Sequence, residues 1–343
     1  MKFSSVMIDA YAHFLSDQVV TSDEIEQRLS SVYKRLKLPE GRLELMTGIK
    51  ERRIWDVGTL PSFIATEAGR RTLNKTDIDK SEIGILIHAS VCRDFLEPAT
   101  ASVVHAHLGL SEQCMIMDVS NACLGVLSSM LLVANMIEQG TIKAGLIVSG
   151  ENSAPLLEET ITFLNSDQSI TRKSIKKYFA NLTIGSAGVG YILAHRDISP
   201  HGHQIIGGAS MTKSDANKLC QGDGSRDSLM MQTDSEELLH AGLELASDTW
   251  NATKNILAWD NETPNYFITH QVGKAHEQLT FERLGISLDK AYANYSTLGN
   301  TGSAALPTAL SELGESGRLK PNDLLALLGI GSGLSSTMLG VKW

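Results

Sequence analysis

The segment that decides the fold reads Asp118-Val119-Ser120-Asn121-Ala122-Cys123-Leu124-Gly125. It closes a short apolar run and opens a stretch in which Val126, Leu127, Met130, Leu131, Leu132, Val133, Met136 and Ile137 leave almost no polar face. A helix that is apolar all round belongs in the middle of a protein, between other layers. Cys123 then falls on a strand-to-helix turn, where free backbone N–H groups and the positive end of the helix favour a thiolate. The pattern predicts a nucleophile of lowered pKa on a rigid mount. A small buried hydrophobe is the competing reading of the same cysteine. The small neighbours Ala122 and Gly125 speak for chemistry.

Working outward, Ile83–His88 and Ala144–Ser149 are continuous apolar runs of the kind buried on both faces of a sheet. Gly188–Ala194 is another. The polar stretch before it, about 152–180, reads as an excursion covering a substrate pocket. Near the start, Thr21 and Glu24 form a capping box ahead of the helical stripe Ile25, Leu29, Val32 and Leu36. The second half repeats the grammar. Gln204–Ser210 reads as a strand, and Asp234 with Glu237 caps a helix running to about Leu257. Tyr266–Thr269 and Leu324–Gly329 read as later strands. Strand–helix alternation in two comparable halves, 1–195 and 196–343, predicts α/β layers with a mostly parallel sheet in each half. No Pro/Gly/Ser linker parts the halves, so they are expected to share one interface.

Bulk properties exclude several classes. A net charge of −9 over 343 residues, with no basic stripe, argues against a nucleic-acid surface. The apolar stretch 124–137 is interrupted by Gly125, Ser128, Ser129 and Asn135, too polar to span a bilayer. The first residues, MKFSSVMIDAYAHF, do not read as a signal peptide. Four cysteines without a C-x-x-C pair fit a reducing cytoplasm. Cys92, Cys114 and Cys220 are assigned no chemistry, Cys114 being taken as core. His195, His201 and His203 lie in a loop-like stretch and read as surface residues, with no metal expected.

Three further motifs stand beside Cys123. Tyr266-Phe-Ile-Thr-His-Gln271 is a strand running into His270. Asn294-Tyr-Ser-Thr-Leu-Gly-Asn-Thr-Gly302 is a Gly-punctuated turn holding Asn300, a residue that also suits a plain turn. Leu328-Gly-Ile-Gly-Ser-Gly-Leu334 follows the last expected strand. With no helix or further strand expected after it, a dinucleotide site is excluded there.

In this order and spacing, D-V-S-N-A-C-L-G, F-I-T-H-Q, L-G-N-T-G-S-A-A-L-P and G-I-G-S-G-L resemble the β-ketoacyl-ACP synthase III branch of the thiolase superfamily. The likeness runs through nearly the whole chain, including Thr47-Gly-Ile-Lys-Glu-Arg-Arg53. It implies a five-layered αβαβα thiolase fold acting as a homodimer without a cofactor. It also implies that Cys123 is acylated and that His270 and Asn300 hold the enolate oxygen of the second substrate. The backbone N–H groups of Cys123 and Ser332 would form the oxyanion hole. Each role suits a thioester enolate, a developing negative charge for which one preorganised donor contributes roughly 10²–10³ in rate.

Within that branch the chain looks closest to the OleA type, which joins two long-chain acyl-CoAs head to head. The run Cys92-Arg-Asp-Phe-Leu-Glu-Pro-Ala-Thr100 carries this likeness. Ordinary synthase III enzymes place an apolar aromatic at the position of Glu97, lining the partner subunit's acyl pocket. They make their carbanion by losing CO₂, whereas two simple acyl chains need a base at an α-carbon. Glu97 from the partner subunit would be that base. A solvated Glu before a Pro-initiated helix is the plainer reading. Arg42-Leu-Glu-Leu-Met-Thr lacks the Trp and Arg with which typical relatives hold CoA, so the mode of delivery stays open. Acyl-CoA is the expected substrate, and the enzymes that take the product onward are expected partners. Non-decarboxylative condensation leads, ahead of a decarboxylative synthase III or natural-product ketosynthase. A non-catalytic acyl-binding partner subunit comes third.

Overall fold

In a computed structural model of the protein, residues 1–222, 231–233 and 235–343 are described. Nine strands form one mixed sheet. Their spatial order is Tyr266–Thr269, Leu324–Gly331, Ser335–Lys342, His203–Thr212, Val6–Phe14, Ala187–His195, Ala144–Glu151, Ile83–Ala89 and Met115–Val119. The sheet is nearly divided at its centre. Val6–Phe14 and His203–Thr212 pair only through Met7–Gln204 and Ile8–His203. Each side then wraps its own face of the buried central helices.

The helix Gly125–Glu138 is central, as its apolar circumference requires. Its Val133 packs where Gly145 leaves no side chain, and Leu124 and Leu127 pack onto Gly329 on the opposite side. Ala305–Glu315 lies beside it in the same layer, with Gly314 against Tyr11 and Trp343. Pro61–Leu73 and Thr100–Leu108 cover one outer face, and Ser235–Leu257 with Lys274–Leu284 cover the other. Five αβαβα layers result.

The Thr21–Glu24 capping box is present, and Ile25, Leu29, Val32 and Leu36 are all buried, though on two short helices that meet at Leu29. The 152–180 excursion folds as Ala154–Ser166 and a 3-10 segment, Ser174–Leu182, packed on those helices. The helix Ser235–Leu257 forms, while its Asp234 cap lies outside the described residues.

Three expectations need correction, and one exposed strand needs an explanation. Pairing is mixed, not mostly parallel: parallel ladders are confined to Ile83–Ala89 with its two neighbours and Tyr266–Thr269 with Leu324–Gly331. A strand does follow the Gly-Ile-Gly-Ser-Gly run: Ser335–Lys342 turns straight back on Leu324–Gly331. That run is a hairpin turn. The apolar Met115, Ile116 and Met117 are exposed in this chain because their strand is the sheet's last, paired on one side only. His203 is not a surface loop residue. It stacks on Trp343 with centroids 3.6 Å apart, and burial holds its imidazole down to about 4.

Candidate active site

Cys123 sits on a tight elbow. Ala122 adopts a left-handed φ of 45°, a conformation that a residue with a Cβ seldom takes without a structural demand. The Leu124 N–H donates to Asn121 O at 2.9 Å, and the Gly125 N–H to Ala122 O at 3.3 Å. The Val126 N–H donates to Ser303 Oγ at 3.1 Å. These donors, which the sequence reading offered to a thiolate, are therefore already occupied. Burial pushes the Cys123 thiol up to about 12, the Glu151 carboxylate and Cys220 add to the effect, and only its own N–H opposes them. The expected lowered pKa is thus overturned: burial holds resting Cys123 as a protonated thiol.

His270 follows the Tyr266–Thr269 strand, and its N–H donates to Leu328 O at 3.1 Å. It is 4 % exposed, and its buried Nδ1 has no partner among the described residues. Burial, with His276 nearby, lowers its pKa to about 3. His270 is therefore neutral at physiological pH, suited to share a hydrogen bond with a carbonyl or enolate oxygen. His276, itself held down to about 4 by burial, was not singled out by the sequence because it lies on a helix with no motif around it.

Asn300 is fixed through its backbone and side chain. Its N–H donates to Thr183 O at 3.0 Å, and its carbonyl accepts from Gly185 N at 2.9 Å. Oδ1 accepts from the Gly302 N–H at 3.0 Å, leaving the Nδ2 hydrogens as the donors. Gln271 ties this segment to the His270 turn: Oε1 accepts from Asn294 N and Tyr295 N, while Nε2 donates to Thr269 O. Gly331 brings in the Ser332 turn. A Cβ on it would stand 3.5 Å from Cys123 N and 3.2 Å from Leu124 Cγ, so this strand runs directly against the elbow. These contacts tie the His270 turn to the Asn294–Gly302 segment and the Gly331 turn to the Cys123 elbow.

Glu97 does not join them. It lies exposed in the 91–98 loop, between Leu96 at 80 % exposure and Pro98, and makes no hydrogen bond or ion pair among the described residues. The loop begins at Val91 and Cys92, whose N–H groups are bound by Glu151. Among the described residues no cluster of His, Cys, Asp or Glu is placed to hold a metal ion, and no helix is long and apolar enough to cross a membrane.

This arrangement has close counterparts. The acyl-CoA:acyl-CoA alkyltransferase of Xanthomonas campestris is 38% identical over 343 residues, covering 100% of both chains. The chain belongs to the OleA family. The enzyme of the same description from Shewanella oneidensis is also 38% identical, with both chains covered in full. A solved variant of Xanthomonas campestris OleA with bound lauric acid and lauroyl-CoA superposes with a TM-score of 0.94 at 38% identity, covering 99% of this chain and 100% of that one. The 3-oxoacyl-[acyl-carrier-protein] synthase III C-terminal family matches residues 257–343, the part of this OleA-family chain that holds His270, Asn300 and Ser332.

Proposed function

We propose that the chain condenses two fatty acyl-CoA molecules by a non-decarboxylative Claisen reaction. Cys123 Sγ attacks the first thioester, and CoA leaves as its thiol. Glu97 then takes an α-proton from the second acyl-CoA, whose enolate oxygen is held by His270 and Asn300. The carbanion attacks the Cys123 thioester, whose oxyanion is met by the N–H groups of Cys123 and Ser332. Loss of Cys123 Sγ gives the β-ketoacyl-CoA, which hydrolysis converts to the β-keto acid. The carrying observation is the elbow-borne thiol grouped with a neutral buried imidazole and an oriented amide, in a chain matched end to end by a relative that holds lauroyl-CoA. No resident cofactor is needed, because acyl transfer and enolate formation use only thiol, carboxylate and hydrogen-bond donors.

The reading includes a homodimer in which Glu97 enters the partner subunit's site. Support comes from the exposed apolar face beside it: Val91, Phe95, Leu96, Met115, Ile116 and Met117 would otherwise stay in water along an open sheet edge. The halves 1–195 and 196–343 are read as the units that bring Cys123 and the His270–Asn300 pair together. A thiol that must stay reduced suits a cytoplasmic enzyme.

Purified protein given myristoyl-CoA alone is expected to release CoA and form a β-keto product. Dependence on a malonyl donor would instead indicate decarboxylative synthase III chemistry, and no turnover a non-catalytic acyl-binding subunit. Division of labour between the steps is tested by His270→Ala. This variant should still trap an acyl group on Cys123, as read by intact mass, while product formation falls by roughly 10²–10³. Complete loss of acylation in a folded variant would make His270 the base for Cys123 instead.

A further inference from the structure

Glu151 ends the Ala144–Glu151 strand at 3 % exposure, and the reaction sequence above gives it no role. Both of its oxygens are engaged. Oε1 accepts from the Val91 N–H at 2.9 Å and from the Ser303 N–H at 3.0 Å, and Oε2 accepts from the Cys92 N–H at 3.1 Å. One carboxylate therefore holds the start of the loop that carries Glu97 and the turn that carries Asn300. Ser303 passes the link on, since its Oγ accepts from Val126 N in the first turn of the Cys123 helix. There is no slack at the junction. Gly302 has a φ of +59°, and a Cβ there would stand 3.1 Å from Glu151 Oε1.

Burying a carboxylate is costly unless its hydrogen bonds are met. A strand end needs no such group for its own sake. Here three backbone donors from two loops converge on it, so the charge is used to join segments that are distant in sequence. We propose that Glu151 is a positioning residue for condensation, setting the Glu97 loop and the Asn300 turn against the Cys123 helix from a single anchor. This rests on the roles assigned above to Glu97, Asn300 and Cys123. A second consequence follows from its charge, which reaches Cys123 and disfavours the resting thiolate.

Two substitutions separate the anchor from the charge. Glu151→Asp keeps the charge but, one methylene shorter, cannot span both loops. Glu151→Gln keeps the length, loses the charge and presents an N–H₂ where an acceptor is needed. Both are expected to lose about 10²-fold in condensation, the scale of an ångström-level misplacement of catalytic groups, with Cys123 self-acylation much less affected. Iodoacetamide labelling of Cys123 across a pH series should move to lower pH in Glu151→Gln and stay with wild type in Glu151→Asp. A purely structural role would not produce that split. Near-wild-type condensation in both variants, equal loss of acylation and condensation, or identical labelling profiles would overturn the proposal. If either variant fails to fold, Gly302→Ala, which presses on Oε1 from the turn, should show the same selective loss of condensation. Wild type that labels at Cys123 yet condenses nothing would refute the functional reading instead, while the labelling comparison would still judge Glu151.

Discussion

Cys123→Ala is expected to abolish turnover of acyl-CoA. Removing the nucleophile of a covalent catalyst costs on the order of 10⁶ in rate, and Cys123 is the one of the four thiols that stands on the elbow ahead of the central helix. Cys114 is buried, and burial holds its thiol up at about 11. Cys92 is raised well above the ordinary range by burial beside Glu151. Cys220 lies on a separate short hairpin, near enough to add to the rise of the Cys123 thiol, with its Sγ 3.5 Å from Thr233 Oγ1. Intact-mass and peptide spectra of wild type given acyl-CoA should place a single acyl group on Cys123. An adduct on Cys92, Cys114 or Cys220, or CoA release persisting in Cys123→Ala, would end the assignment.

Glu97→Gln should give a different phenotype: a normal Cys123 thioester and little condensation. Glutamine keeps size and polarity and cannot accept the α-proton. General-base removal is worth about 10²–10⁴ in rate, so product from acyl-CoA alone should fall by that factor while the acyl adduct survives. Glu97 is exposed in the single chain, and the proposed role places it in the site of a second copy. Mixing Glu97→Gln with Cys123→Ala subunits tests this directly. One site of the mixed dimer lacks both groups and the other retains both, so two inactive parents should recover activity. Failure to complement after proven subunit exchange would remove Glu97 from the partner subunit's site. Near-normal condensation by Glu97→Gln would favour decarboxylative chemistry.

Local sequence marked the candidate residues because each stands where an element changes. Cys123 follows an apolar run and precedes an apolar helix, His270 closes the Tyr266–Thr269 strand, and Asn300 sits in a glycine-marked turn. Apolar runs and capping residues are short-range signals, so the Ile83–Ala89 and Ala144–Glu151 strands and the Thr21 cap were legible. Val6–Phe14 was legible too, in the alternation of buried Val6, Ile8, Ala10 and Ala12, but went unread. Ser335–Lys342 gave less warning, since its Ser, Thr and Gly residues carry little apolar signal although nearly all are buried.

What the sequence by itself determined, then, was the family and the layered class of the fold, together with the candidates for the reacting groups. Tertiary structure decided their state. The Cys123 thiol is raised rather than lowered because the fold buries it, and the Glu151 carboxylate and Cys220 add to that effect. Glu151 reads in sequence as the polar end of a strand. It becomes an anchor only when loops 60 and 152 residues away converge on it. Edge or centre in the sheet likewise decides whether an apolar run such as Met115–Met117 is covered. Desolvation, hydrogen-bond satisfaction and edge pairing depend on atoms remote in sequence, and only the folded chain brings those atoms together.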